Sequence, residues 1–143
     1  RGNAKLLTAR NIYAQVVLNP KAKQWFAQDY QNFLANYDRT AIMAMPYMEN
    51  QAGLSQKSAK KWLETLVTQA DLGKNNSKVV FELQTKNWKN NEFIGEGELN
   101  QWFDLLKSQG VQKFGYYPDD LIGKKPDLNA IRPHFSAANV PKK

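Results

Sequence analysis

Cysteine is absent from the chain and histidine occurs once, as His134. The first absence excludes a disulfide framework, thiol catalysis, iron–sulfur clusters and Cys-based zinc sites, while a compartment such as the periplasm stays open. The second excludes a three-histidine metal site or a histidine relay built within one chain. No apolar run approaches the ~18 residues of a membrane span, and no basic-then-apolar signal stretch opens the sequence. The chain begins Arg1-Gly2 rather than with methionine, so residue 1 is not expected to be a natural start. Arginine is scarce too: 16 of the 20 basic residues are Lys and 4 are Arg.

What remains is a globular composition. The 143 residues are 42% apolar, 12% aromatic and 23% charged, which suits a single domain with its own core. The net charge of +7 invites a nucleic-acid reading. The lysines, however, are spread through predicted helices and tails (Lys21, Lys23, Lys57, Lys60, Lys61, Lys107, Lys142, Lys143), a pattern that fits a solvated surface better than a phosphate footprint. A basic α/β module for nucleic acid is therefore the alternative reading, and a purely structural assembly piece the third.

The pattern along the chain is regular. Residues 6–13 read as a strand, and Asn19-Pro20 as the capped start of a helix whose face carries Phe26, Tyr30, Phe33, Leu34 and Tyr37. Thr40 to Met45 is a short buried strand ended by Pro46. Ala59, Trp62, Leu63, Leu66, Val67 and Ala70 form a second helical stripe with Gly73 as its stop. Lys78 to Gln84 is a third strand, followed by a polar loop. Leu99, Trp102, Phe103 and Leu106 then mark a helix that Gly110 ends. Gln112 to Tyr117 is a fourth strand stopped by Pro118, and residues 127–135 a last short helix.

The result is βαβαβαβα, an internal repeat in which three helices carry an aromatic–apolar step: Trp25-Phe26, Trp62-Leu63 and Trp102-Phe103. These tryptophans are expected to pack the helices on the sheet. Regular alternation implies parallel strands with right-handed crossovers. No GxGxxG or P-loop follows the first strand, which disfavours a nucleotide-binding sheet. Aromatic, amide and carboxylate residues follow every strand instead, as in the mouth of a barrel. The fold class is thus α/β, a (βα)4 half of a TIM-type (β/α)8 barrel over residues 1–135 with a tail at 136–143. Its two open edges call for a missing half from elsewhere in the protein, another chain or a dimer mate.

In a barrel, the residues that act sit at the C-terminal ends of the strands. Those ends carry Arg10, Asn11 and Tyr13; Pro46, Tyr47 and Glu49; Glu82, Gln84, Lys86, Asn87 and Trp88; and Tyr116, Tyr117, Asp119 and Asp120. Rings, amides and carboxylates together suit a sugar, whose apolar face stacks on an aromatic ring while its hydroxyls take hydrogen bonds. Alternation in KVVFELQ points Glu82 into the barrel, where it is a substrate-orienting group, a structural partner of Arg10 or an acid–base group. Trp88 has no helical stripe to join and reads as a sugar platform. Asp119-Asp120 is either a turn or a ligand contact, and His134 is packing or surface. The mouth carries Glu49, Glu82, Asp119 and Asp120 against Arg10, Lys86 and Lys89, which favours a neutral or amine-bearing substrate over a phosphate.

The segments TARNIYA (8–14), KQWFAQDYQNFLANYD (23–38), TAIMAMPYME (40–49), FELQTKNW (81–88), FGYYPDDL (114–121) and IRPHFS (131–136) resemble, in order and spacing, the C-terminal part of the PgaB family. The resemblance implies a bacterial protein that processes the biofilm polysaccharide poly-β-1,6-N-acetyl-D-glucosamine. It implies strands five to eight of a glycoside-hydrolase-like barrel that binds the partly deacetylated polymer, cleaves it and aids its passage to an outer-membrane porin. A periplasmic, outer-membrane-associated lipoprotein is implied as the parent. Arg10, Asn11, Tyr47, Gln84, Trp88, Tyr116, Tyr117 and Asp119 map to the family's binding groove. No catalytic residue maps here, because the family's Asp-Asp pair follows an earlier strand, so the chain alone is expected to be inactive. A divalent metal is implied only in a separate deacetylase domain, and this chain is expected to hold no cofactor and to bind no nucleic acid.

Overall fold

The computed structural model describes residues 6–50 and 53–135; the expected tail at 136–143 lies outside the described residues. The first βα unit is β1 (Ala9–Tyr13), α1 (Ala14–Leu18), a 3-10 turn (Pro20–Ala22), α2 (Lys23–Phe26) and α3 (Tyr30–Asn36). The second is β2 (Arg39–Ala44), α4 (Pro46–Glu49), α5 (Gln56–Gln69) and a 3-10 turn (Gly73–Asn75). The third is β3 (Val79–Gln84), a small hairpin of β4 (Lys86–Asn87) and β5 (Glu92–Phe93), and α6 (Glu96–Ser108). The fourth is β6 (Phe114–Tyr117) and α7 (Leu128–Phe135).

The four long strands form one parallel sheet in the order β1-β2-β3-β6. All of them therefore point their C-terminal ends the same way. Among the described residues, the outer edges of β1 and β6 have no partner strand. The fold class is the expected one: parallel strands alternating with helices, as in a barrel-type α/β domain.

Strand alternation divides the sheet into two unlike faces. Register aligns Ile12 with Ile42 and Phe81, and Ala44 with Leu83. Ile12, Ile42, Ala44, Val79, Phe81 and Leu83 are all at most 1% exposed, packed under Leu63 and Leu66 of α5 and Leu99, Phe103 and Leu106 of α6. Each buried Leu there contributes about 1.5–3 kcal/mol. The other face carries Asn11, Ala41, Met43, Val80, Glu82, Gly115 and Tyr117, none of them buried.

The long helices begin and end for local reasons. Ser55 caps α5, its Oγ accepting from the Ser58 N–H at 3.2 Å. Glu96 and Glu98 in the first turn of α6 and Lys107 in its last both complement the helix dipole. Gly110, at φ 77°, takes the left-handed conformation that lets the Val111 N–H return to the Leu106 carbonyl, as its position predicts.

Several expectations are corrected. The helix drawn from Asn19 through Tyr37 is broken: Asn19 caps only the 3-10 turn, Ala27 adopts φ 51°, and Asp29 caps a new helix through the Asn32 N–H at 3.0 Å. An extra helix, α1, follows β1 directly. Gly73 does not stop α5, which ends earlier, at Gln69, with Asp71 in the left-handed region. The polar loop after β3 is a hairpin whose turn is built by asparagines: Asn87 Oδ1 accepts from the Lys89 N–H, Asn90 Oδ1 from the Glu92 N–H, and Asn91 sits at φ 61°. Trp102 is buried as expected, but Trp25 is 76% exposed and packs no helix on the sheet.

Candidate carbohydrate groove at the strand ends

The less buried face of the sheet ends in a hollow of about 340 Å3, lined by Asn11 from β1, Met43 from β2, Met45 and Met48 beyond it, Glu82 from β3, Trp88 and Tyr117. Register explains the gathering. Met43 pairs with Glu82, Glu82 with Gly115, and Gln84 with Tyr117, so Met43, Glu82 and Tyr117 share one face at one end. Asn11 Nδ2 donates to Glu82 Oε2 at 3.3 Å, which holds the carboxylate across the strands. The Trp88 and Tyr117 rings stack with centroids 6.3 Å apart and planes 28° off parallel. They are 41% and 56% exposed, an aromatic wall open to solvent above a methionine floor.

The same register separates other predicted residues from this hollow. Arg10 pairs with Thr40, on the helix-covered face, so it cannot be the partner of Glu82; Asn11 is. Tyr116 also points to the helices, its ring 6.5 Å from Phe103 and 5.7 Å from Phe135. Burial first, and then the charge of Asp119, raise the Tyr116 pKa; its hydroxyl donates to Asp119 Oδ2 at 3.5 Å. Asp119 is exposed and outside the hollow, and Asp120 closes a turn in which its carboxylate accepts from the Gly123 N–H.

Gln84 is fully buried, with both ends of its amide in use. Its oxygen accepts from the N–H groups of Tyr47 at 2.8 Å and Met48 at 3.3 Å, and its nitrogen donates to the Lys86 carbonyl at 2.7 Å. It therefore ties α4 to the loop after β3, and at 0% exposure it lies out of a ligand's reach. Tyr47 is turned away from the hollow: its hydroxyl donates to Glu98 Oε1 at 2.5 Å and its ring lies 5.9 Å from Trp102. Of the nine predicted binding residues, the hollow brings together Asn11, Glu82, Trp88 and Tyr117.

Two groups of residues had roles that the sequence reading missed. Met43, Met45 and Met48 form the floor; the alternation in TAIMAM carried the signal for Met43. Glu49 reaches back to the start of α1, where its two oxygens accept from the Ala14 and Gln15 N–H groups at 2.8 and 2.9 Å. Burial pushes its pKa up to about 7, against the pull of those two hydrogen bonds. His134 packs as expected, its Nε2 3.0 Å from Asn100 Oδ1 and its ring 5.0 Å from Phe103; burial and Lys107 lower its pKa, opposed by Asp104.

The chain resembles known proteins in sequence and in fold. The chain is 45% identical over 139 residues to the poly-β-1,6-N-acetyl-D-glucosamine N-deacetylases of Escherichia coli K12 and O157:H7, covering 94% of this chain and 20% of each of those proteins. Its fold superposes on the PgaB (BpsB) glycoside hydrolase domain from Bordetella bronchiseptica with a TM-score of 0.84 and 36% identity, over 94% of this chain and 36% of that one. Residues 1–117 match the pattern of hypothetical glycosyl hydrolase family 13, and the chain is a member of that family.

Proposed function

We propose that the hollow at the strand ends binds partly de-N-acetylated poly-β-1,6-N-acetyl-D-glucosamine, one wall of a longer groove. The observation that carries this reading is the Trp88–Tyr117 wall standing beside the Asn11–Glu82 pair. The rings offer a surface for the apolar face of a pyranose, and the carboxylate and amide offer partners for hydroxyl and amine groups. The names of the E. coli relatives supply the polymer. A nucleic-acid role finds no favour here, since the one charged group lining the hollow is the carboxylate of Glu82.

Glycosidic cleavage generally uses two carboxyl groups flanking the bond. Glu82 is the single carboxylate lining this hollow, so in this reading the chain binds and orients polymer while the cleaving acid comes from outside the described residues. Periplasmic residence and passage of the polymer to an outer-membrane porin belong to the same proposal. The test is titration of the chain with β-1,6-linked glucosamine oligomers, followed by tryptophan fluorescence. Trp88→Ala is expected to weaken binding by about 1 kcal/mol or more; unchanged affinity would overturn the assignment.

A further inference from the structure

The loop after β3 separates two hollows. Trp88 lines the one already described, while Asn87, one peptide bond earlier, lines a second of about 280 Å3 with Tyr47, Asn90, Glu92, Phe93 and Glu98. Adjacent Cα atoms lie about 3.8 Å apart, so the ridge between the hollows is a single stretch of backbone. At its size, close to the lower limit of small-molecule pockets at about 300 Å3, the second hollow has room for one small unit.

Glu98 makes this hollow chemically specific. The residue is 9% exposed, in the first turn of α6. Its Oε1 accepts the Tyr47 hydroxyl, and its Oε2 takes no hydrogen bond among the described residues. Burial raises the Glu98 pKa, against the opposing pull of Tyr47, so the carboxylate is held where its charge is incompletely compensated. Neither lysine of the hairpin is among the residues that line the hollow: Lys86 Nζ lies 5.4 Å from the centroid of the Phe93 ring, which is part of the wall, and Lys89 Nζ donates to the Asn50 carbonyl. Glu92 at the rim accepts from Asn90 Nδ2 and adds a second negative charge. A metal ion is a poor fit, since the described residues contain no group of three His, Cys, Asp or Glu able to hold one. A ligand carrying one ammonium and several hydroxyls fits: the ammonium completes Glu98, and the Asn87 Nδ2 group together with the second N–H of Asn90 Nδ2 meets the hydroxyls.

We propose that this second hollow is a subsite for one free-amine hexosamine unit of the polymer, with Glu98 as its specificity-determining residue. The proposal rests on the groove reading above. A β-1,6 linkage, with its extra rotatable bond, lets one chain cross the ridge and occupy both hollows. The acidic subsite would then select de-N-acetylated units, because an acetamide has no positive charge to offer.

Calorimetric titration with a β-1,6-linked glucosamine tetramer and its fully N-acetylated counterpart separates the two claims. The wild-type chain is expected to prefer the free-amine tetramer. Glu98→Gln is expected to lower affinity for it about tenfold, leave the acetylated tetramer within twofold, and so remove the preference. An intact preference in Glu98→Gln, with Trp88→Ala still weakening both ligands, overturns the subsite alone. Binding of neither tetramer overturns the groove reading and the subsite with it. Should Glu98→Gln fail to fold, amide resonances of Asn90 and Gly95 in the wild-type chain decide: they shift with the free-amine tetramer and not with the acetylated one, or the subsite is wrong.

Discussion

Glu49 carries a cost that varies with pH. Its carboxyl titrates near an ordinary 4.5 when exposed and at about 7 in the folded chain. Between those values the unfolded chain has released the proton that the folded chain still holds, so stability falls as pH rises across the interval. The difference in pKa corresponds to at most about 3 kcal/mol. Chemical denaturation at pH 5 and pH 7 is expected to show higher stability at pH 5. Glu49→Gln should flatten that dependence and weaken the hold on α1, because an amide presents only one oxygen to the two N–H groups of Ala14 and Gln15. Equal pH slopes in wild type and variant would rule the assignment out. Neither this cap nor the buried amide of Gln84 could be read from local pattern, because each residue bonds to backbone more than thirty positions away.

At the scale of elements, the rim is assembled from short helices that depend on such distant ties. Removing the Gln84 amide leaves the Tyr47 N–H without its acceptor, while the Met48 N–H keeps the Met45 carbonyl at 3.1 Å; an unsatisfied buried group costs about 1–3 kcal/mol, and the emptied side-chain volume adds to it. Gln84→Ala is therefore expected to lower unfolding stability by about 2–4 kcal/mol by denaturant titration; a loss below ~1 kcal/mol would show that α4 is held by other contacts. The long elements were legible in sequence because their cause is local. Leu63, Leu66, Leu99, Phe103 and Leu106 repeat with helical period, and Val79, Phe81 and Leu83 alternate. The inward direction of Glu82 followed from that alternation alone, whereas grouping Arg10 with Asn11 and Tyr116 with Tyr117 ignored it. The break at Ala27 escaped notice because the apolar spacing from Phe26 to Tyr37 runs across it in phase.

For the whole molecule, the sheet is finished on one face and unfinished on the other. Ala41 and Met43 of β2 and Val80 of β3 stay partly exposed on the two central strands, and the outer edges of β1 and β6 are open among the described residues. The 16.4 kDa chain is expected to self-associate at micromolar concentration in light scattering and to leave β-1,6-glucosamine polymer uncut in a reducing-end assay. Turnover matching that of a complete glycoside hydrolase would place the cleaving groups within this chain. Charge adds a kinetic consequence. The molecule as a whole is positive, yet the hollows carry Glu82, Glu92 and Glu98. A polyamine strand thus meets repulsion at long range and attraction only on arrival, the reverse of electrostatic steering. Added salt, which shortens the reach of exposed charges to about 8–10 Å at moderate ionic strength, should speed capture in stopped-flow mixing even as it hastens release. On the proposed reading, such a surface would turn away stray cationic segments and retain those that thread directly into the acidic seam.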